Sequence, residues 1–450
     1  CCFAMAKPVL RVMGIMLGWR VFSAAVIPVK VEKKEDLPHR SYSVSSRKMA
    51  GQLHMRRNCA PELGLVTEKE TSDKFAEYAQ SFCNQSSSQA LEIREVIGFI
   101  APWHKYGYRA AKYLHHKMSS IAPLWLRVLP RKEGASDGKN ESFEIAGLDF
   151  VKEQEVWSER ISNKGCQVLQ HVSLEGWANL KALKALMQKP EPLAEQVAEI
   201  CHKYSNAGIV LDVRLALFSS VKPLLAPMLA AFSKRLRAAG RRLLISVPAE
   251  PQNQQWHAPE FDAGDAAAIA PLVDAVIVGT RDYSRKERGP SAPLPWVKSS
   301  IKRLLTTESG GNDGFRPDQL LMEIPLYGRA FKDTEEDGQL ILTPQLVKAM
   351  KQHRPQLLWD SEAAEHSMTM TDGKAYMSVP TLAFVRDRLR LAHSLGVGVA
   401  FRELGAGLDY AFDLLTVRSG RAPPAQKSQA EALPERPASS ESQAKAKPTR

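Results

Sequence analysis

The stretch NAGIVLDVRL, from Asn206 to Leu215, contains a short run of aliphatic residues that ends in two charged side chains. The run follows the turn-forming sequence Ser-Asn-Ala-Gly and is too short for a helix, so it predicts a buried strand over 208–213. A buried strand that ends in charge is unusual unless its end opens into a site. The stretch therefore predicts a site at Asp212 and Arg214, surrounded by the other strands of the core.

Strands of the same kind recur along the chain, separated by amphipathic helical patterns. The predicted strands are EVIGFIA (95–101), SSIAPLWLRV (119–128), GCQVLQHVS (165–173), GIVLDV (208–213), RRLLISVP (241–248), VDAVIVG (273–279), QLLMEIP (319–325) and GVGVAFR (396–402). The helical patterns include EPLAEQVAEICHKY, SSVKPLLAPMLAAFSKRLRAA, WVKSSIKRLL and TLAFVRDRLRLAHSL. Eight strands alternating with helices predict an α/β fold of the (β/α)8 TIM barrel type. A doubly wound open sheet is the alternative, but it normally has fewer strands and a glycine-rich first turn.

The barrel is predicted to cover residues 94–417, with a small α+β insertion between strands 7 and 8 at about 332–379. This insertion is too long for a plain loop, and its pieces LLWDSEAAEH and TDGKAYMSV indicate a strand pair. The segment 31–93 is predicted to be a polar N-terminal extension with one helix-like patch, TSDKFAEYAQSF. Residues 418–450 are rich in Pro, Ser, Ala, Gln and Lys, which predicts a disordered basic tail.

Residues 1–30 are expected to be a signal or targeting segment. The apolar stretch VLRVMGIMLGWRVFSAAVIP is interrupted by Arg11 and Arg20, and its uninterrupted pieces have the size of a signal peptide. No stretch reaches the roughly 18 apolar residues that a membrane span needs. We expect secretion or delivery to the endomembrane or lysosomal lumen. An organellar transit peptide is the alternative, since the segment is basic and free of acidic residues.

The chain has 61 Lys and Arg residues against 49 Asp and Glu residues, a formal net charge of +12. Such a charge suits an acidic partner, including an anionic glycan or an acidic patch on a protein receptor. The sequence has no aromatic RNA-binding signature, no Cys/His zinc spacing and no phosphate-binding glycine loop. We therefore expect no nucleic acid partner, no metal and no cofactor. The pairing of the six cysteines stays open.

In a TIM barrel, the functional side chains lie where the strands end at their carboxyl termini. The candidates at those positions are Trp103, Trp125, Glu175, Asp212, Arg214, Arg281, Asp282, Tyr327, Arg402 and Glu403. Trp359 and Asp360, in the predicted insertion, could wall the same cleft. Aromatic side chains at such a rim stack on sugar rings, but packing beneath loops is an equally good alternative for each.

The run IPLYGRAF (324–331) resembles the seventh-strand signature of family 18 glycoside hydrolases, the chitinases and chitinase-like proteins. Further matches follow in the family's order over residues 95–415, and they are closest to one branch, the chitinase domain-containing proteins. The matching stretches are VIGFIAPWHKYGY, IAPLWL, RDYSRKERGPSAPLPWV, HRPQLLWDSEAAEH and LGVGVAFRELGAGLDYAFDLL. The resemblance implies a TIM barrel that binds chitin or a related oligosaccharide.

The fourth strand departs from the family pattern Asp-x-x-Asp-x-Asp-x-Glu. The four positions of that pattern correspond here to Ala207, Val210, Asp212 and Arg214. The resemblance implies that Asp212 keeps the role of orienting the N-acetyl group of the substrate, while Arg214 stands in place of the glutamic acid that protonates the leaving group. A guanidinium, with a pKa above about 12, cannot act as a general acid.

Two other strand ends also carry an arginine where the family pattern has an aromatic residue. The sixth strand of the family ends in Met-x-Tyr-Asp, and the corresponding residues here are Gly279-Thr280-Arg281-Asp282. On the eighth strand, Arg402 replaces the tryptophan that forms the floor of the sugar site. Three arginines that converge at one barrel mouth need anions. These anions are either Asp212, Asp282 and Glu403 in an internal ion-pair network, or the acidic group of a bound ligand such as a sulfated or uronic-acid glycan.

The sequence thus favours a carbohydrate-binding, chitinase-like protein that lacks the catalytic glutamate and has no catalytic residues of its own. The enzymatic alternative is a hydrolase that uses another acid, with Glu175, Glu323 and Glu403 as candidates. A third reading is a protein that binds a polyanion or a receptor, with the barrel as its scaffold. Tyr327 and Arg329 match the family signature, although Arg329 could serve only to support a loop.

Overall fold

A computed structural model of the chain describes residues 54–131, 142–249, 261–305, 314–332, 337–370, 373 and 375–418. The predicted targeting segment, 1–30, and the predicted tail, apart from Arg418, lie outside these residues. No helix in the described part of the chain has the length and apolar composition needed to cross a membrane.

Eight parallel strands form a closed barrel, as predicted. They are β1 (Val96–Ile100), β2 (Ser120–Pro123), β3 (Gln167–Leu174), β4 (Gly208–Asp212), β5 (Arg242–Pro248), β6 (Ala275–Gly279), β7 (Leu320–Pro325) and β8 (Gly398–Arg402). Each strand pairs with its neighbours in chain order, β8 pairs with β1, and β2 pairs with β3 through Ser120 and Gln167. Seven of the eight predicted strand segments therefore contain a barrel strand, and β3 extends one residue beyond the predicted segment 165–173.

Helices follow the strands around the outside of the barrel. They are Lys105–Leu114, Leu148–Glu153, Glu155–Ser162, Leu180–Gln188, Glu191–Lys203, Leu225–Ala238, Ala263–Ile269, Leu294–Lys302 and Leu382–Leu395. Short 3-10 turns cover His115–Lys117, Arg214–Leu217, Lys222–Leu224, Pro317–Gln319, Leu404–Ala406 and Asp409–Leu414. The four predicted helical patterns each overlap one of these helices, and the helix at WVKSSIKRLL begins two residues before the predicted pattern, at Leu294. Their apolar faces pack on the strands to form the main core.

The second predicted strand, 119–128, is split in two. Its first part is β2, while Leu126–Pro130 leaves the barrel wall and pairs with the far end of β3 and with the antiparallel strand Phe143–Ala146. The break follows Pro123, which has no backbone N–H to donate to a neighbouring strand. A tight turn follows, in which the Trp125 amide donates to the Pro123 carbonyl at 3.0 Å.

The insertion between β7 and β8 is larger than the predicted strand pair. It is a five-stranded antiparallel sheet of Gly328–Lys332, Gln339–Ile341, Leu358–Asp360, Glu365–Thr369 and Ala375–Val379, with the helix Thr343–His353. Its first strand begins at Gly328, a few residues before the predicted start at about 332, because IPLYGRAF turns directly from β7 into the new sheet.

A fully buried arginine joins the insertion to the barrel. Arg388, on the last helix, donates to the backbone carbonyls of Ala292 and Ala364 and forms an ion pair with Glu365 at 3.1 Å. Glu365 in turn accepts the backbone N–H groups of Ser291 and Ala292 at 2.8 and 2.6 Å. This pair therefore connects the last barrel helix, the inserted sheet and the loop that follows β6.

Residues 54–93 pack against the barrel. Strand His54–Arg56 pairs with Ser81–Cys83, the helix Ser72–Tyr78 falls within the predicted helix-like patch, and a disulfide joins Cys59 to Cys83. Asp413 accepts the backbone N–H groups of Ala60 and Cys83, each at 2.8 Å. The remaining described cysteines, Cys166 and Cys201, are free and buried.

Candidate functional site

Because side chains alternate between the two faces of a strand, the side chains that point into the barrel form successive layers. An apolar layer contains Ile97, Phe99, Leu169, Val210, Leu244, Ile277, Leu321 and Ala400. Two residues further along their strands, His171, Asp212, Glu323 and Arg402 point into the same interior. The apolar barrel core therefore ends in a polar layer at the carboxyl ends of the strands.

Asp212 and Arg214 form a close ion pair at the end of β4. The strand ends at Asp212, and Arg214 opens a 3-10 turn that brings its side chain back onto the carboxylate. Arg214 Nε lies 2.9 Å from both Asp212 oxygens, and the Arg214 amide donates to Oδ1 at 3.1 Å. Burial alone would raise the pKa of Asp212, but Arg214 lowers it to about 2. Asp212 is therefore an ionised carboxylate already bound by a guanidinium.

A second cluster follows β6. Arg281 Nη1 lies 2.6 Å from Asp282 Oδ2, and Arg329 Nη2 lies 2.6 Å from Asp282 Oδ1. The Tyr327 hydroxyl also donates to Asp282 Oδ1, at 3.1 Å. Burial opposes ionisation, yet the two guanidinium groups hold the pKa of Asp282 well below its usual value. Asp282 reaches this position with a left-handed backbone, at φ +59°.

Glu323, on β7, is shared between two arginines. Arg281 Nε lies 2.7 Å from Glu323 Oε2, and Arg402 Nη1 lies 3.4 Å from Glu323 Oε1. The Glu323 side chain is only 1 % exposed. The carboxylate therefore ties the ends of β6 and β8 together across the strand between them.

His171, on β3, lies among the arginines of the mouth. Burial and the neighbouring charges of Arg402, Arg214 and Arg281, opposed by Asp212, lower the pKa of His171 to about 3. The imidazole is thus neutral and adds no cation to the site. Its ring meets the Phe99 ring edge to face, with 5.9 Å between the centroids.

Glu403 does not pair with Arg402, although the two are adjacent in sequence. Glu403 takes a left-handed backbone, at φ +68°, and its Oε1 lies 2.9 Å from His104 Nδ1. Burial would raise the pKa of Glu403, but the contact with His104 and the charge of Arg402 lower it. The carboxylate that contacts Arg402 is Glu323.

The three predicted tryptophans lie in different surroundings. Trp103 is 53 % exposed beside His104, just beyond β1. Trp125 is 2 % exposed, with its ring stacked on Tyr108 and its Nε1 donating to the Tyr108 hydroxyl. For Trp125 the chain covers the ring, which favours the predicted alternative of packing over that of a sugar platform. Trp359 is half-buried on the inserted sheet against His366, at 4.8 Å between ring centroids. The side chain of the neighbouring Asp360 accepts the backbone N–H groups of Glu362 and Ala363 in the following turn.

Sequence reasoning missed two residues of this layer, His104 and His171, and the roles of two others. It named Glu323 only as a candidate acid, and it gave neither His104 nor the contact between Arg329 and Asp282. Glu323 could have been found from its spacing, since it shares the inward face of β7 with Leu321. His104 could not, because its contact with Glu403 depends on two loops that meet only in the folded barrel.

Glu175, the remaining candidate acid, lies just past β3. It accepts a hydrogen bond from the Ser173 hydroxyl at 2.7 Å and lies 3.8 Å from Arg127. In the described part of the chain, no group of three or more His, Cys, Asp or Glu side chains is arranged to hold a metal ion.

Comparison with known proteins gives one family and a set of similar structures. Residues 95–392 match the model of glycosyl hydrolases family 18. A chitinase from Chromobacterium violaceum is similar over 71 % of this chain and 98 % of its own, at 16 % identity and a TM-score of 0.56.

Two further structures are similar at the same level. The spore cortex-lytic enzyme SleL of Bacillus cereus matches 72 % of this chain and 75 % of its own, at 13 % identity and a TM-score of 0.57. A chitinase from Cycas revoluta, solved in complex with (GlcNAc)3, matches 71 % of this chain and 97 % of its own, at 12 % identity and a TM-score of 0.54. At these identities, the structures support the fold alone.

Proposed function

Because the chain belongs to glycosyl hydrolase family 18, we propose that it is a carbohydrate-binding member of the family that does not hydrolyse its ligand. The observation that carries this proposal is the Arg214 guanidinium, bound to Asp212 where the family resemblance expects the proton donor. We further propose that the chain falls in the branch of chitinase domain-containing protein 1, whose motifs it resembles.

The ion pair disables both parts of the family reaction. Arg214 stays protonated at any relevant pH and does not release a proton to a leaving group. In family 18 the nucleophile is the substrate's own N-acetyl group, and by the resemblance Asp212 would orient it. Here the same carboxylate is occupied by Arg214, at 2.9 Å from each oxygen. A sugar bound at the barrel mouth would therefore meet neither group in its catalytic state.

The alternative acids are poorly suited to the task. A general acid in a glycosidase needs a raised pKa so that it carries a proton at working pH. The pKa of Glu403 is lowered, and Glu323 is bound by two guanidinium groups that a substrate would have to displace. Glu175 is held by Ser173 and lies near Arg127.

The ligand we propose is an oligosaccharide of the chitin type, preferably one that carries acidic groups. Trp103 is exposed at the end of β1 and offers an aromatic face for a sugar ring. The charges of Arg214, Arg281 and Arg402 all act on His171 at the mouth, and a cluster of guanidinium groups favours an anion over a neutral ligand.

We propose an oxidising compartment for this protein, either secreted or within the endomembrane or lysosomal lumen. The disulfide between Cys59 and Cys83 supports this location, because structural disulfides are rare in proteins of the reducing cytosol. A protein receptor is a further proposed partner, supported only by the net positive charge of the chain.

The proposal is tested by measuring binding and hydrolysis of N-acetylglucosamine oligomers side by side, with the purified full chain. We expect binding on a glycan array and by calorimetry, and no release of shorter oligomers. Turnover that disappears in Glu175→Gln, Glu323→Gln or Glu403→Gln, but persists in the exposed control Glu199→Gln, would show an active hydrolase and overturn the proposal.

A further inference from the structure

We propose that Arg402 is the anchor for one acidic group, a sulfate ester or a carboxylate, on a sugar whose ring stacks on Trp103. This inference rests on the proposed function, since it names the class of carbohydrate that the barrel mouth would bind. It selects Arg402 from the four arginines of the site, Arg214, Arg281, Arg329 and Arg402. It gives the ligand two contacts, an ion pair with the guanidinium and a stacking contact with the indole.

At the ends of β6, β7 and β8, three guanidinium groups make close ion pairs with only two carboxylates. Arg281, Arg329 and Arg402 share the two carboxylates of Asp282 and Glu323. Asp212 is engaged with Arg214, and Glu403 makes its close contact with His104. The charge of Arg402 lowers the pKa of Glu403, but among the described residues these two side chains make no close ion pair, so Arg402 shares its one paired carboxylate, Glu323, with Arg281.

Arg402 is the arginine whose contacts are weakest. Its one hydrogen bond to the described residues joins Nη1 to Glu323 at 3.4 Å, beyond the 2.7–2.9 Å usual for a charge-assisted bond. By contrast, Arg281 contacts its two carboxylates at 2.7 and 2.6 Å. A guanidinium carries five N–H donors, so most donors of Arg402 have no protein acceptor in the described part of the chain.

The surroundings of Arg402 favour an incoming anion. Its guanidinium lies 5.1 Å from the centre of the Phe99 ring, and its side chain is 15 % exposed, so it is largely desolvated but still reachable. The neutral imidazole of His171 lies nearby and contributes no competing charge. A hydrogen bond between ions is stronger in such a partly buried place than in water.

The exposed ring of Trp103 favours an anion that is carried by a sugar. β1 and β8 are paired strands, with Phe401 opposite Gly98, so Trp103 and Arg402 follow neighbouring strand ends. The contact between His104 and Glu403 ties the two loops together one residue beyond each. An exposed indole and an arginine with open donors, carried on two strand ends that this contact joins, suit the apolar face and the acidic substituent of one charged sugar unit.

The test compares three trimers by calorimetry with the full chain: the neutral N-acetylglucosamine trimer, the same trimer with one 6-O-sulfate, and one with a glucuronic acid unit. We expect at least one acidic trimer to bind about tenfold or more tighter than the neutral one. The Arg402→Met variant should lose that preference, whereas Trp103→Ala should weaken all three trimers alike. The stronger of the two acidic trimers identifies the group as sulfate or carboxylate.

Arg390→Ala is the matched control, because it removes an arginine that is 63 % exposed on the last helix. It should leave all affinities unchanged. If Arg402→Met fails to fold, Arg402→Lys keeps the charge without the forked donors and should show a reduced preference. Equal binding of the three trimers to the unmodified chain overturns this inference alone, whereas no binding of any trimer overturns the proposed function as well.

Discussion

Asp212 is a buried carboxylate whose ionised form is stabilised by the Arg214 guanidinium two residues away. The pair lies inside the mouth, with side-chain exposures of 27 % for Arg214 and 8 % for Asp212. A buried ion pair contributes little compared with an apolar pair of the same shape, but breaking it by removing one partner is costly. The pair can therefore be detected by removing Arg214.

We expect Arg214→Met to lower the free energy of unfolding at pH 7 by about 2 kcal/mol, as the fall in the pKa of Asp212 from 3.8 to about 2 implies. The pKa of Asp212 is depressed in the folded state, so its contribution is present above pH 4 and is lost as the pH falls towards 2. Urea unfolding at several pH values should show the two proteins converging in acid.

The control for this effect is Arg94→Met, which removes an arginine that is 63 % exposed and paired with Asp318 at 3.2 Å. An exposed pair of this kind contributes at most about 1 kcal/mol. A difference between the chain and Arg214→Met that stays constant from pH 7 to pH 3 would contradict the pairing of Asp212 with Arg214.

Among the elements of the fold, the inserted sheet is joined to the last barrel helix by a buried contact through Arg388. Arg388 is completely buried, and its guanidinium lies 3.5 Å from the Phe384 ring while it binds Glu365 and backbone carbonyls. Even with this partner, burial raises the pKa of Glu365. The carboxylate would therefore be left in an unfavourable environment if the arginine were removed.

We expect Arg388→Met to destabilise the protein by about 3 kcal/mol, because it leaves the Glu365 carboxylate buried without its guanidinium. Arg390→Met, two residues along the same helix, removes an exposed arginine and should change the unfolding free energy by less than about 0.5 kcal/mol. Thermal and urea unfolding measure both variants. Equal stability of the two would show that Arg388 does not hold the insertion in place.

The elements of the barrel could be predicted from the sequence, because each strand is a short apolar run between turn residues. The break after Pro123 could not, since the run IAPLWL (121–126) is continuously apolar and the place where the chain leaves the wall depends on the neighbouring strand. At the site, Asp212, Arg281 and Arg402 follow from strand ends alone. Their partners do not, because the contact between Arg402 and Glu323 depends on how β7 and β8 align, with Glu323 opposite Ala400.

At the scale of the whole molecule, the net charge of +12 is a weaker guide to the ligand than the position of a few arginines. The barrel-mouth arginines lie within the closed barrel, whereas the predicted basic tail lies beyond Arg418. A chain that ends at Arg418 therefore separates the barrel mouth from the tail.

We expect this shortened chain to bind the acidic trimer with the affinity of the full chain, because every residue of the proposed contact lies before Arg418. Calorimetry at low and high salt measures the affinity, and added salt should weaken it in both chains. The Arg402→Met substitution in the shortened chain serves as the negative control. Binding that disappears with residues 419–450 would instead favour the tail as the polyanion-binding part.

The carboxylate that Arg281 and Arg402 share restricts the order in which this mouth could change in evolution. Either arginine can be exchanged while the other still has Glu323 as its counterion. Exchange of Glu323 first would leave two desolvated cations facing each other at the ends of β6 and β8. If this site evolved into one for a neutral sugar, or the reverse, the intermediate sequences would therefore have kept Glu323 while lacking Arg281 or Arg402.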